Sequence, residues 1–163
     1  MAINVKPNFT VDDVRQRYDA FLDVVEELQL EALQQLGEEC VTFARSDHAN
    51  DWQDQTGNLR SSIGYMIFKD GKVVFGTPFE QVAAKNPPKD GVPLDGAKRG
   101  EALCRSIGEQ TTGMTLVVVA GMNYAIYVES KGRDVITGAH THAVRTLPQM
   151  IEQLKSDIKN VPM

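Results

Sequence analysis

The chain has 163 residues, 42% of them apolar and 24% charged. That is enough apolar material for one domain with a core, 1–163, and it excludes wholesale disorder. Seventeen basic against twenty-two acidic side chains leave a formal charge of −5, which argues against sequence-independent nucleic-acid binding.

The first predicted element is a long N-terminal helix over about 11–45. Thr10 and Asp13 have capping spacing, and Val11, Val14, Tyr18, Phe21, Val25, Leu28 and Ala32 recur in steps of three and four. The stripe then slips by one to Leu33, Leu36, Cys40 and Phe43. Such a helix is about 50 Å long, and Gly37 within it marks a place for a bend or break. Nine acids against three bases lie between Val11 and Arg45. Its outer face is therefore either simply solvated, repellent to DNA, or matched to a basic partner.

Ser46–Asn58 reads as a polar loop with Trp52 as its anchor or contact residue. Asp47, His48, Asp51 and Asp54 offer a conceivable acid/base pair, but no nucleophile motif accompanies them. A β-hairpin follows over about 61–76. Asp70-Gly71 sits between two β-rich runs and suits a type I′ turn, with Phe68 opposite Val73 and Ile67 opposite Val74. Ile63, Tyr65 and Ile67 point to one side, Met66 and Phe68 to the other, so both faces need cover. Helices cover one. The second requires either the Gln81–Glu109 insertion or a neighbouring subunit, and the expectation here is a neighbouring subunit.

Lys85–Gly100, with three prolines and three glycines, is expected to be a flexible arm. Helix resumes over Asp95–Glu109, where Ala97, Leu103, Cys104 and Ile107 can share a face. Thr115–Ala120 is a strand buried on both sides, and Asn123–Ser130 fits a strand or a helical turn. The C-terminal helix, about 138–159, starts near Thr137 with Pro148 kinking it, or at Thr146 with Pro148 in its first turn. The whole is α+β: a long N-terminal helix, a small antiparallel sheet with a β-hairpin, and a C-terminal helix.

Signals for chemistry are few. Cys40 and Cys104 lie far apart with no CxxC, and read as reduced, buried thiols. His140-x-His142 on a helix would point its rings about 200° apart, which is poor for a metal. Thr56–Ser62 is superficially like a phosphate loop but has no Lys. No run approaches the ~20 apolar residues of a membrane span, and Met-Ala-Ile-Asn-Val-Lys-Pro has no secretory pattern. Neither a membrane partner nor secretion is expected.

Two segments carry a family resemblance. Gln55-Thr56-Gly57-Asn58-Leu59-Arg60-Ser61-Ser62-Ile63 resembles a Thr-Gly-x-Leu-Arg-x-Ser-Ile element of the head–tail joining and tail-completion proteins of long-tailed bacteriophages. There it follows a long N-terminal helix. Tyr124-Ala125-Ile126-Tyr127-Val128-Glu129 resembles that family's Tyr-Ala-x-Tyr-Val-Glu, which follows a strand and precedes a glycine, here Gly132. The resemblance covers roughly Val11 to Lys159.

It implies a structural virion part without catalysis, metal or cofactor, made in the host bacterial cytoplasm. Its place would be the virion neck or tail, joining portal and connector to tail tube as a ring-forming homo-oligomer. It would have no sequence-specific nucleic-acid partner, and acidic walls would let DNA slide through the ring. The motif and interface candidates it marks are Thr56, Gly57, Leu59, Arg60, Tyr65, Tyr124, Tyr127 and Glu129. Arg60 and Glu129, one from each motif, are expected to pair. Two alternatives stay open: another structural module, such as a minor head or injection-device component, and a small enzyme or ligand-binding domain using the Asp47–Asp54 loop.

Overall fold

A computed structural model describes residues 8–46, 56–83 and 93–162. The first helix, α1 (Val11–Arg45), opens on a capping box. The Thr10 hydroxyl accepts from Asp13 N–H, while the Asp13 carboxylate accepts from Thr10 N–H at 2.7 Å. The bond from the Thr10 backbone first, and the Thr10 hydroxyl's donation to the same carboxylate at 2.7 Å second, hold the Asp13 carboxyl below its ordinary range. α1 passes through Gly37 without a break. A Cβ there would overlap the Tyr65 ring, so Gly37 serves close approach of helix to sheet rather than a hinge.

A short turn of helix, α2 (Asn58–Ser61), leads into β1 (Ile63–Lys69) and β2 (Lys72–Gly76). Asp70 and Gly71 both have positive φ, as the type I′ turn demands. Phe68 pairs with Val73 as expected, but a bulge shifts the register and places Ile67 opposite Phe75 instead of Val74. The remaining elements are α3 (Gly96–Gly108), β3 (Met114–Ala120), α4 (Ala125–Ser130) and α5 (Thr137–Lys159). Asn123–Ser130 thus resolves as helix. α5 starts at Thr137 and runs through Pro148.

The sheet is antiparallel, in the order β2-β1-β3, with Ile63 opposite Ala120 and Lys69 opposite Met114. Central β1 is buried on both faces from Ile63 to Phe68. On one face Ile63, Tyr65 and Ile67 pack with Leu36, Cys40, Val41 and Ala44 of α1 and Ala139 of α5. On the other, Met66 and Phe68 pack with Cys104 of α3, Val117 and Val119 of β3, and Phe79. Leu116 and Val118 lean on the first cluster, so β3 is covered on both sides.

That arrangement overturns the expected neighbouring subunit on the second hairpin face. α3, from the chain's own insertion, occupies it. The helix does so through its small residues: Gly96, Gly100, Cys104 and Gly108 are buried, while Leu103 and Ile107, expected on the buried face, are exposed. Spacing by four puts the four small residues on one face. A Cβ at Gly108 would overlap the Phe68 ring, and one at Gly100 would meet Ser62 backbone and Phe79. Bulk was thus a misleading guide, because the sheet itself supplies the large side chains. Gly96–Gly100, expected to belong to the arm, is the first turn of α3. The expected flexibility of 85–92 lies outside the described residues.

Candidate functional site

The two resembling segments are the place to build from, and each turns out to tie elements together. In the first, Gly57 adopts a left-handed conformation, with φ +76°, against the Val82 carbonyl. Leu59 is buried beneath the turn, and Thr56 is half-buried at its mouth. Buried Asn58 donates through its side-chain nitrogen to the Pro93 carbonyl at 2.8 Å and accepts from Gly96 N–H at 3.2 Å. It thereby fixes the start of α3. The Ser61 hydroxyl donates to the Gly57 carbonyl and accepts from Val82 N–H at 2.8 Å. The Ser62 hydroxyl donates to the Leu59 carbonyl, while the Ser62 carbonyl accepts from Gly121 N–H.

Asn58, Ser61 and Ser62 are thus buried polar groups with hydrogen-bond partners, costly to strand without them. Sequence reasoning passed over Asn58 and Ser61. The signal for them is their polar identity just before a strand buried from Ile63 to Phe68.

In the second segment Tyr124 is the N-cap residue of α4, and Tyr127 and Ile126 project outward, 62% and 78% exposed. Lys131 lies over the Tyr127 ring at 5.1 Å. Glu129 turns inward. One oxygen accepts from the backbone N–H of Ile136 and Thr137, both at 2.8 Å, and of Val135 at 3.3 Å. It is the cap that α5 lacks from its own N-cap residue, Ile136. Asp134 adds a bond from Gly138 N–H at 2.8 Å. Burial alone would raise the Glu129 carboxyl. The Ile136 and Thr137 backbone bonds, then the Thr137 side chain and Val135, outweigh it and hold the group below its usual range.

The expected Arg60–Glu129 pair is therefore not made, because the Glu129 carboxylate faces the α5 N-terminus instead. Tyr65 is a second correction. It is fully buried, its hydroxyl donates to the Glu38 carboxylate at 3.0 Å, and burial followed by that bond raises its pKa. No interface is open to Tyr65, nor to buried Gly57 and Leu59. Of the motif residues, Tyr124 and Tyr127 present substantial surface.

His142 bonds to Glu39 at 2.9 Å and stacks on Phe43, joining the N-terminal part of α5 to the C-terminal part of α1. Gln35 first, then His142, lowers the Glu39 pKa. Beside them a cleft of about 490 Å³ is lined by Phe43, Glu129, Arg133, Asp134, His142 and Arg145. Its carboxylates are already engaged by backbone N–H groups.

Cys40 and Cys104 are free and buried; burial pushes the Cys104 thiol up to about 11 and raises Cys40 as well. Neither is poised as a nucleophile. Among the described residues no group of three His, Cys, Asp or Glu side chains could hold a metal, and no helix is long and apolar enough to cross a membrane. The Asp47–Asp54 loop, with His48 and Trp52, lies outside the described residues.

What the described surface does offer is apolar area. Phe9, Val11, Val14 and Tyr18 at the start of α1 are more than half exposed, and Ile126 and Tyr127 are likewise open on α4. Comparison with family models, curated proteins and solved structures gives no match.

Proposed function

We propose that this chain is a structural assembly protein of a phage or prophage neck or tail, acting in tail completion or termination between head connector and tail tube, without catalysis. The observation that carries the reading is the ordered pair of motifs, Thr56–Ile63 after a long first helix and Tyr124–Glu129 after a strand. Their inward-turned members suit a scaffold. Gly57, Asn58, Ser61 and Glu129 spend their polar groups on the chain's own backbone. Their exposed members, Tyr124 and Tyr127, are aromatic, a residue type enriched at protein interfaces.

In that role the protein meets portal or connector and tail-tube proteins, assembles as a ring in the virion, and is made in the host cytoplasm. The test is removal of the gene from the phage or prophage that carries it, with particles imaged by negative stain. The reading expects filled heads and tails that fail to join, rescued by the gene in trans and by purified chain added to separated heads and tails. Normal joined particles without the gene would overturn it.

A further inference from the structure

The sheet has two outer edges, and they are built differently. β2 is short, opens on Lys72 and pairs with β1 through a bulge. Brevity, charge and bulges are the usual means by which an edge is kept from pairing further. The edge of β3 has none of them. Met114–Ala120 runs seven residues in unbroken register with β1 and contains no charged residue, proline or glycine.

Its backbone is only half used. Asp70 N–H donates to the Gly113 carbonyl and Gly121 N–H to the Ser62 carbonyl, so the odd-numbered residues between them turn their N–H and C=O groups to β1. Met114, Leu116, Val118 and Ala120 turn theirs the other way. Among the described residues nothing bonds to that side. Their side chains lie on the sheet face that packs with α1 and α5.

At the Met114 end of this edge lies an apolar cleft of about 330 Å³. Ala32, Leu33 and Leu36 of α1, Met114 of β3, and Leu147 and Ile151 of α5 line it, and no charged side chain does. Leu147 and Ile151 are exposed, as is Val144 one turn before them. α5 therefore presents an apolar row beside unpaired backbone.

We infer that the open edge of β3 takes an uncharged, extended segment of a partner protein as a fourth strand, with alternate side chains of that segment entering the cleft between β3 and α5. Only extended backbone repeats its donors and acceptors every second residue, as this edge requires. The segment is uncharged because neither the edge nor the cleft holds a charge to answer one. The partner is not a second copy. Of this chain's strands β2 is bulged, β1 is central, and β3 is covered by helices on both sides. A second copy would bring those layers against α5 before its strand came within the ~4.8 Å of pairing. A single segment carries no such layers. The inference goes beyond the neck or tail role and does not depend on it.

The test pans the purified full chain against a display library of random peptides long enough to lie along β3. Peptides with uncharged, alternating apolar residues are expected to be enriched. A selected peptide, synthesised free, should slow amide exchange at Met114, Leu116, Val118 and Ala120 on the order of tenfold or more, with little change at Val117 and Val119, whose N–H groups already face β1. N-methylation of every second peptide residue should abolish binding in one phase and spare it in the other, because successive N–H groups of a strand point to opposite sides.

Ile151→Lys, at an exposed position, should weaken peptide binding on the order of tenfold or more by setting a charge in the cleft. Val73→Lys, on the opposite edge of the sheet, should leave binding unchanged. The inference is overturned if no peptide is enriched, or if selected peptides leave the four amides unprotected or bind Ile151→Lys as they bind native. Methylation that abolishes binding in both phases also overturns it, since the occupant is then a helix. So does a native chain that dimerises in sedimentation velocity and is made monomeric by Ile151→Lys, since the occupant is then a second copy.

Discussion

From Leu36 to Ala44 the apolar stripe of α1 is buried against β1 and α5, whereas from Val11 to Leu22 the same stripe is largely open, with Val11 76% and Tyr18 59% exposed. The two halves have the same periodicity and differ in what lies opposite. β1 has seven residues, which span only about 23 Å at 3.3 Å each. α1 has thirty-five, about 50 Å at 1.5 Å each. A sheet this small cannot cover a helix this long. The pattern of apolar residues therefore marks a face that wants cover, and the lengths of the other elements decide how much of it the chain itself provides.

Leucine truncation in the two halves should separate them most strongly. Leu36→Ala is expected to cost about 3 kcal/mol, because it empties a site between helix and sheet. Leu22→Ala, at a 44% exposed position, should stay within about 0.5 kcal/mol. Equal shifts of the urea midpoint would mean that the N-terminal half is covered in solution, and the contrast would collapse.

A smaller effect distinguishes the two sides of α3. Gly108→Val should cost about 2 kcal/mol by driving a side chain into the Phe68 ring. Leu103→Ala on the outer side should change thermal stability by no more than about 0.5 kcal/mol.

Capping comes next. Glu129→Gln should cost about 1 kcal/mol by weakening the bonds to the α5 N-terminus. Its carboxyl is lowered in the folded chain, so its contribution is full above the unfolded value of about 4.3 and is lost as pH falls through the lower folded value. The Gln variant should show correspondingly less loss of stability in that acid range. The smallest effect belongs to the hairpin-tip pair. Lys69→Met should cost less than about 0.5 kcal/mol, since Lys69 and Glu26 are both more than 40% exposed, and the difference from native should vanish in high salt.

These contrasts also show what the sequence could reveal. The ends of α1, the Asp70-Gly71 turn and the alternation along β1 were legible because each is a local rule. Thr10 and Asp13 cap, paired positive φ selects Asp-Gly, and strands alternate. The buried face of α3 was not legible, because its glycines carry no hydrophobic signal and gain meaning only from Phe68 and Phe79 across the interface. The partner of Glu129 was missed for a similar reason. An arginine in one motif and a carboxylate in the other suggest an ion pair, yet the N–H groups at the start of α5 hold the carboxylate instead. Tyr65 stood among the interface candidates because the cover supplied at Gly37 of α1, whose lack of a Cβ lets the ring in, depends on tertiary packing.

Amide hydrogen exchange along α1, in the purified chain at low concentration and again at high concentration or on heads and tails, tests the central claim most directly. The account predicts slow exchange over residues 30–45 in every state. Over residues 11–22 it predicts fast exchange in the dilute chain and slow exchange in the assembled one. Uniform slow exchange along α1 in the dilute chain, or no change over residues 11–22 on assembly, would contradict it.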